Sequence, residues 1–257
     1  MAFLPLLVAI ALAVRPGRCD NTCSFISWGV DTSLANLVPN FNPDAEETCA
    51  DGLGCASKCS EYPWCSSFFI QKSGRCLMFK TVFITKVKMV SAPGTVYNRI
   101  YSDDCPADAS YYKSREDSLC LRFFGLGPDT ISGITKEESF KNCSTIHGFL
   151  PILDTENKME WVKGVFESNV LIPSDGWNIY LDGKRRAGSS FVWGNGQIVP
   201  FGRDEGNRWL RNFPTAFPAY NCMAAVIRAK AHITTIRWVN FDCSYKANVL
   251  LCRYIRE

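Results

Sequence analysis

Histidine is nearly missing from this chain: 257 residues contain two, His147 and His232. Proton-transfer catalysis relies on histidine more than on any other side chain. No G-x-S-x-G, P-loop, H-E-x-x-H or paired-carboxylate motif takes its place. Asp108, Asp117, Asp182 and Asp242 are dispersed along the chain. The expectation is a protein that is not an enzyme and uses no cofactor. A strong charge of either sign is missing too. Lys and Arg number 28 against 25 Asp and Glu, and a net charge of +3 gives no signal for nucleic acid or an anionic membrane. Nor is the chain short of apolar residues, at 47% hydrophobic and 21% charged, which excludes a disordered composition. Internal repeats and low-complexity tracts are absent. Long apolar runs are absent as well: the run from Phe3 to Val14 is too short to span a bilayer.

That short run is informative in another way. "MAFLPLLVAIALAVRPGRCD" has the size of a secretory h-region and passes through "ALA" into small and polar residues, although no Lys or Arg precedes it. A signal peptide over residues 1–19 is expected, cut after Ala13 or after Cys19; a core strand is the alternative. The 13 cysteines then read as a disulfide framework formed in an oxidising, extracellular compartment. An odd count leaves one over, and Cys19 is the candidate. Cleavage after Cys19 removes it, and cleavage after Ala13 retains it.

The remaining cysteines form two groups. Cys23, Cys49, Cys55, Cys59, Cys65 and Cys76 are crowded, whereas Cys105, Cys120, Cys143, Cys222, Cys243 and Cys252 are widely spread. Between the groups lies "SAPGTVYNRIYSDDCP", punctuated by Pro, Gly and Asp. The expected domains are therefore residues 20–102 and 103–257, with the boundary near Ser102.

In the first region "NPDAEETCADGLGCASKC" suggests a helix capped by Asn42 or Asp44, with Glu46 and Glu47 at its positive end. Cys55 and Cys59 share a helical face. "WCSSFFIQKSGRCLMFK" reads as a hairpin turning at Ser73-Gly74. A C-x-x-x-C helix beside a cysteine-bearing hairpin resembles the PAN/apple family over residues 23–100. That resemblance implies bonds Cys55–Cys76 and Cys59–Cys65. Cys23 and Cys49 lie outside its pattern, and a bond between them completes the count. Zinc ligation is the competing chemistry, but clean C-x-x-C knuckles are lacking.

The second region is mixed α+β. "TKEESFKNC" carries a capping box, Thr135 with Glu138, and "TENKMEWVKGVFES" places Met159, Val162 and Phe166 at helical spacing. Short strands follow in "GWNIYLDG", "SFVWGNG", "NCMAAVI", "IRWVNFDC" and "NVLLCRYI". Two helices, then short strands around one long loop, closed by cysteines, resemble the C-type lectin-like domain over residues 105–257. "NIYLDG" stands at the family's W-I-G-L motif and "FVWGNG" matches its W-x-x-G turn at Trp193 to Gly196. The resemblance implies bonds Cys143–Cys252, Cys222–Cys243 and Cys105–Cys120.

The long loop contains "WLRNFPTAFPAYNC". Calcium requires six to eight oxygen ligands, with carboxylates supplying most of the binding energy. Sugar-binding members of the resembled family use E-P-N or Q-P-D in this loop and W-N-D before a cysteine. Here Phe213 and Thr215 flank Pro214, and Val239 and Asn240 follow Trp238, so no carboxylate stands at the four positions. Asp204 and Glu205 are candidates for a second calcium site or a solvated loop tip. Lys184, Arg185, Arg186, Arg203, Arg208 and Arg211 suit an anionic glycan, since guanidinium pairs sulfate and carboxylate bidentately; a charged, solvated turn is the alternative. Trp209, Phe213, Phe217 and Tyr220 offer a stacking platform or a small loop core. The candidate ligand-binding set is Arg208, Arg211, Asn212, Phe213, Thr215 and Asn240, with no metal. The expected function is secreted, calcium-independent carbohydrate recognition, anionic glycans included. The alternative is a protein-binding module in defence, adhesion or venom-like roles. Asn142, in "NCS", is the expected glycosylation site.

Overall fold

In the computed structural model the described residues are 10–11, 27–30, 34–62, 64–83, 88–100, 111–113, 119–124, 133–169, 176–186, 190–200, 208–230 and 233–254. Two compact units divide the chain, Met1–Cys120 and Leu121–Ile255. Ser102, Cys19, Cys23, Cys105, Arg203, Asp204, Glu205 and His232 lie outside the described residues, as does most of the expected leader. Within that leader Ile10–Ala11 form a two-residue strand, β1, antiparallel to Ser27 and Trp28.

The first unit also contains β2 (Ser27–Val30), β3 (Leu37–Pro39), β4 (Ala45–Thr48), α1 (Gly52–Glu61), β5 (Ser67–Gln71), β6 (Arg75–Phe79), β7 (Met89–Ser91) and β8 (Gly94–Ile100). An antiparallel sheet runs in the order β1-β2-β8-β5-β6-β4, and β3 pairs with β7. The hairpin β5–β6 turns at Gly74, whose φ of +85° favours glycine. The helix begins later than expected. Ala45–Thr48 pair with β6 as a strand, and Arg75 donates two hydrogen bonds to Glu46, at 2.7 and 2.8 Å, across that pairing. Asp51 is the N-cap, its Oδ1 accepting from Gly54 N at 2.8 Å. Gly52 and Gly54 thus fall in the first turn of the helix instead of its middle.

Disulfides Cys55–Cys76 and Cys59–Cys65 pin α1 to the hairpin region. Around them pack Trp28, Phe68 and Met78, with the Trp28 and Phe68 rings at 4.9 Å. A second cluster joins Phe69, Phe79, Phe83 and Val96. Cys49 departs from the expectation: it is buried and carries no disulfide, while its expected partner Cys23 lies outside the described residues. Its sulfur points instead toward the Cys55–Cys76 bond, all three sulfurs lying within 4.8 Å of one another.

The remaining elements are β9 (Tyr111–Lys113), β10 (Cys120–Phe124), α2 (Lys136–Ser144), β11 (Gly148–Phe149), α3 (Glu156–Asn169), β12 (Trp177–Arg185), β13 (Phe191–Trp193), β14 (Cys222–Lys230), β15 (Ile233–Phe241) and β16 (Leu250–Tyr254). In the second unit one sheet runs β13-β12-β14-β15, and elsewhere β16 lies between β11 and β10. The α2 cap is a full capping box: Thr135 Oγ1 accepts from Glu138 N, and Glu138 accepts from Thr135 N at 2.8 Å. Met159, Val162 and Phe166 of α3 are buried, whereas Phe140 of α2 is exposed. Disulfide Cys143–Cys252 ties α2 to β16, and Cys222–Cys243 ties the start of β14 to the end of β15. Cys120 is disulfide-bonded too. The described part of the chain is mixed helix and sheet with few helices and several disulfides.

Candidate functional site

The long loop leaves β13 and returns at β14, and its later described stretch, residues 208–221, hangs over the β14–β15 ribbon. Its first anchor is aromatic. Trp209 is buried, forms a bridge with Trp238 of β15 and donates from Nε1 to Pro200 O at 3.0 Å. Trp193, Trp209 and Trp238 meet edge to face at 5.4 and 5.8 Å. Trp209 therefore belongs to the loop's core and offers nothing to a ligand.

Asn240 is the second anchor. Its side chain has no exposed surface and spends its polar atoms on the loop. Oδ1 accepts from Thr215 N at 2.7 Å; Nδ2 donates to Thr215 O at 3.1 Å and to Tyr220 O at 2.9 Å. Four residues beyond Trp209 the chain turns through a cis peptide at Phe213-Pro214. Phe213 is partly buried against the core and faces Phe241 edge-on at 6.4 Å.

A third anchor was not visible from motif reading. Arg185, at the end of β12, donates to Phe217 O at 2.9 Å and to Thr215 O, while its guanidinium stacks over Phe191 at 5.1 Å. Arg208 is likewise turned inward, over the Trp238 ring at 5.5 Å and paired with Glu156 at 3.4 Å. Of the basic residues expected to attract an anionic glycan, these two brace the protein itself. The signal that marks Arg185 is its place, one strand end opposite the loop's return, and only pairing of β12 with β14 reveals it.

The predicted set thus divides. Asn240 and Arg208 are corrected to bracing residues, because their polar groups face inward. Phe213 is mostly a packing residue. Arg211 and Asn212 are exposed, with Asn212 in the left-handed region at φ +71°, and Thr215 is partly exposed. Phe217 presents 67% of its surface, its ring 5.4 Å from that of Tyr220.

The oxygens at the four motif positions reduce to Thr215 and Asn240, and Asn240 Oδ1 already accepts a backbone hydrogen bond. This donor set does not fit calcium, which needs six or more hard oxygens. Asp242 accepts from Ser244 N and Oγ at 2.8 and 2.7 Å, and these bonds hold its carboxyl below the usual range.

Solved structures similar to the chain include the mouse scavenger receptor C-type lectin carbohydrate-recognition domain, 15% identical, spanning 58% of this chain and 97% of that one, TM-score 0.40. SPL-1 in complex with GlcNAc is 18% identical, with 57% and 93% covered and a TM-score of 0.41. A calcium-independent type II antifreeze protein is 14% identical, with 57% and 92% covered and a TM-score of 0.41. No family model and no curated protein matches the chain.

Beneath the loop the framework is tight. Tyr180 Oη donates to Tyr245 O at 2.5 Å, and burial pushes its pKa far up. Lys136 Nζ donates to Gly183 O at 2.6 Å, and burial lowers its pKa to about 8. Asp182 is 3.3 Å from Arg253.

Proposed function

We propose that the chain is a secreted, two-module recognition protein with a PAN/apple-like first unit and a C-type lectin-like second unit, binding its ligand without calcium and without catalysis. Support for the second unit is internal: helix-to-last-strand and loop-bracketing disulfides occur together with the Trp193–Gly196 turn. The cysteine-stapled helix and hairpin support the first. The disulfides fit an extracellular setting, in keeping with removal of residues 1–19 as a leader. Among the described residues no helix is long and apolar enough to cross a membrane.

The observation that carries the ligand reading is the division of the loop's side chains. The Asn240 amide is engaged by Thr215 and Tyr220, while Phe217, Arg211 and Asn212 remain outside. One exposed ring flanked by hydrogen-bonding groups suits a carbohydrate, whose apolar face stacks on the ring while its hydroxyls meet the guanidinium and amide. Arg211 and Lys184 also accommodate an acidic sugar, with Arg185 and Arg208 no longer contributing. A protein partner is the second reading, favoured by the 67% exposure of Phe217, the size and placement of an interface anchor.

A glycan panel probed with wild type and Phe217→Ala separates these. Binding to a glycan that Phe217→Ala weakens at least tenfold, with the melting temperature unchanged, supports the sugar reading. Binding that the variant leaves intact contradicts the assigned surface. Silence across the panel, with capture of an extracellular protein lost in the same variant, moves the assignment to the protein partner.

A further inference from the structure

Cys49 sits where β4 gives way to α1, its backbone N donating to Gly74 O at 2.8 Å. Its side chain is 9% exposed and unpaired, yet it faces a disulfide whose two sulfurs lie within 4.8 Å. A metal is not the natural occupant of this triad. Cys55 and Cys76 are bonded to each other and offer no thiolate. A thiolate beside a disulfide has a different chemistry, attack on sulfur through the thiol–disulfide exchange reaction.

We propose that Cys49 is an internal exchange nucleophile that can transfer the Cys55–Cys76 disulfide to itself, switching how α1 is anchored. The step balances without any external oxidant. The Cys49 sulfur loses its proton and attacks Cys55 or Cys76; the S–S bond breaks, a new Cys49–Cys55 or Cys49–Cys76 bond forms, and the displaced sulfur takes up a proton. One thiol and one disulfide stand on each side.

The two products have different consequences. A Cys49–Cys55 bond closes a short loop between the end of β4 and the first turns of α1, and it releases the helix from β6. A Cys49–Cys76 bond joins neighbouring strands across the β4–β6 pairing, where Glu47 opposes Cys76, and it too frees the helix. Either way α1 keeps only the Cys59–Cys65 staple, at its other end.

The setting restrains the reaction in the resting protein. Burial, with the charges of Glu47 and Asp51, raises the thiol pKa, and Lys58 opposes this. Attack requires the thiolate, so below that pKa the exchange rate should climb about tenfold per pH unit.

Position-specific labelling tests this. Protein from an oxidising secretory host is held at about pH 7 or about pH 9, quenched in acid denaturant with N-ethylmaleimide, and mapped by non-reducing peptide mass spectrometry. The expected result, in samples quenched over time, is label that starts on Cys49 and spreads to Cys55 or Cys76 as Cys49 enters a new bond, about tenfold faster per pH unit toward the higher pH. Cys49→Ser and Cys49→Ala should keep the Cys55–Cys76 bond at both pH values. Label confined to Cys49 at both pH values would overturn the proposal. So would recovery of Cys49 in a stable bond to Cys23 with no free thiol, an outcome readable in wild type alone.

Discussion

Asn240 holds the long loop through its side-chain amide. Its amide donates to two carbonyls and accepts one N–H, a combination no carboxylate reproduces. Asn240→Asp should therefore destabilise as strongly as Asn240→Ala, by about 2–3 kcal/mol or more, since each strands buried backbone groups. Urea unfolding of both variants checks this; a neutral Asn240→Asp would mean that the loop is held otherwise. Arg185 makes a related case. Its fork spans Thr215 O and Phe217 O, so Arg185→Lys should lower the melting temperature nearly as far as Arg185→Ala despite the retained charge. The sequence singled out Asn240 on its strand and Arg208 and Thr215 in the loop, and misjudged which way Asn240 and Arg208 face. The reason is physical: Trp238, Val239 and Asn240 are buried in succession on β15, so strand alternation gives no cue to the amide's direction. Phe217 was legible only as one of four loop aromatics, and burial alone separates it from Trp209.

At the scale of elements, capping chemistry was the most readable part. The Thr135–Glu138 box was visible as a sequence pattern and makes the expected bonds, and at the start of α3 Thr155 Oγ1 accepts from Lys158 N at 3.2 Å. Thr135→Ala should cost about 1 kcal/mol. The same bonds lower the Glu138 pKa in the folded state. A depressed carboxylate pKa adds stability that is present above the unfolded value of 4.5 and is lost as pH falls through the folded value. The melting-temperature gap between wild type and Thr135→Ala should accordingly close in acid, and a constant gap would contradict the box. Helix α1 was misplaced for an instructive reason. Pro43, Asp44 and two glutamates mimic a helix start, but Arg75 on the neighbouring strand engages Glu46, and no local pattern announces a partner 29 residues away. Lys136 tests the seat of α2 on β12. Its folded pKa of about 8 lies below its ordinary 10.5, so the folded state binds fewer protons between these values and stability should rise with pH across that window. Lys136→Met should abolish that rise in a pH series of thermal melts.

Across the whole molecule, the cysteine framework was the strongest signal. Four of the implied pairs are bonds in the structure, and among the described cysteines the missed feature is the free Cys49, which no spacing pattern marks. Cys143 and Cys252 close 109 residues, so Cys143→Ser should cost about 2–5 kcal/mol and reduce secretion; an unchanged melting temperature would contradict that role. The exposed Asn142 adjoins that bond, and rapid oxidation of Cys143 should leave its sequon only partly glycosylated. Intact mass before and after glycosidase reads the occupancy. Two protein groups, Asn240 and Arg185, hold the long loop closed. Thermal melting in millimolar calcium and in chelator addresses it most directly. A site filled at a hundredfold excess over its Kd would add about 2.7 kcal/mol and a clear upward shift. The loop described here predicts superimposable melts; a rise of several degrees in calcium, reversed by chelator, would contradict it.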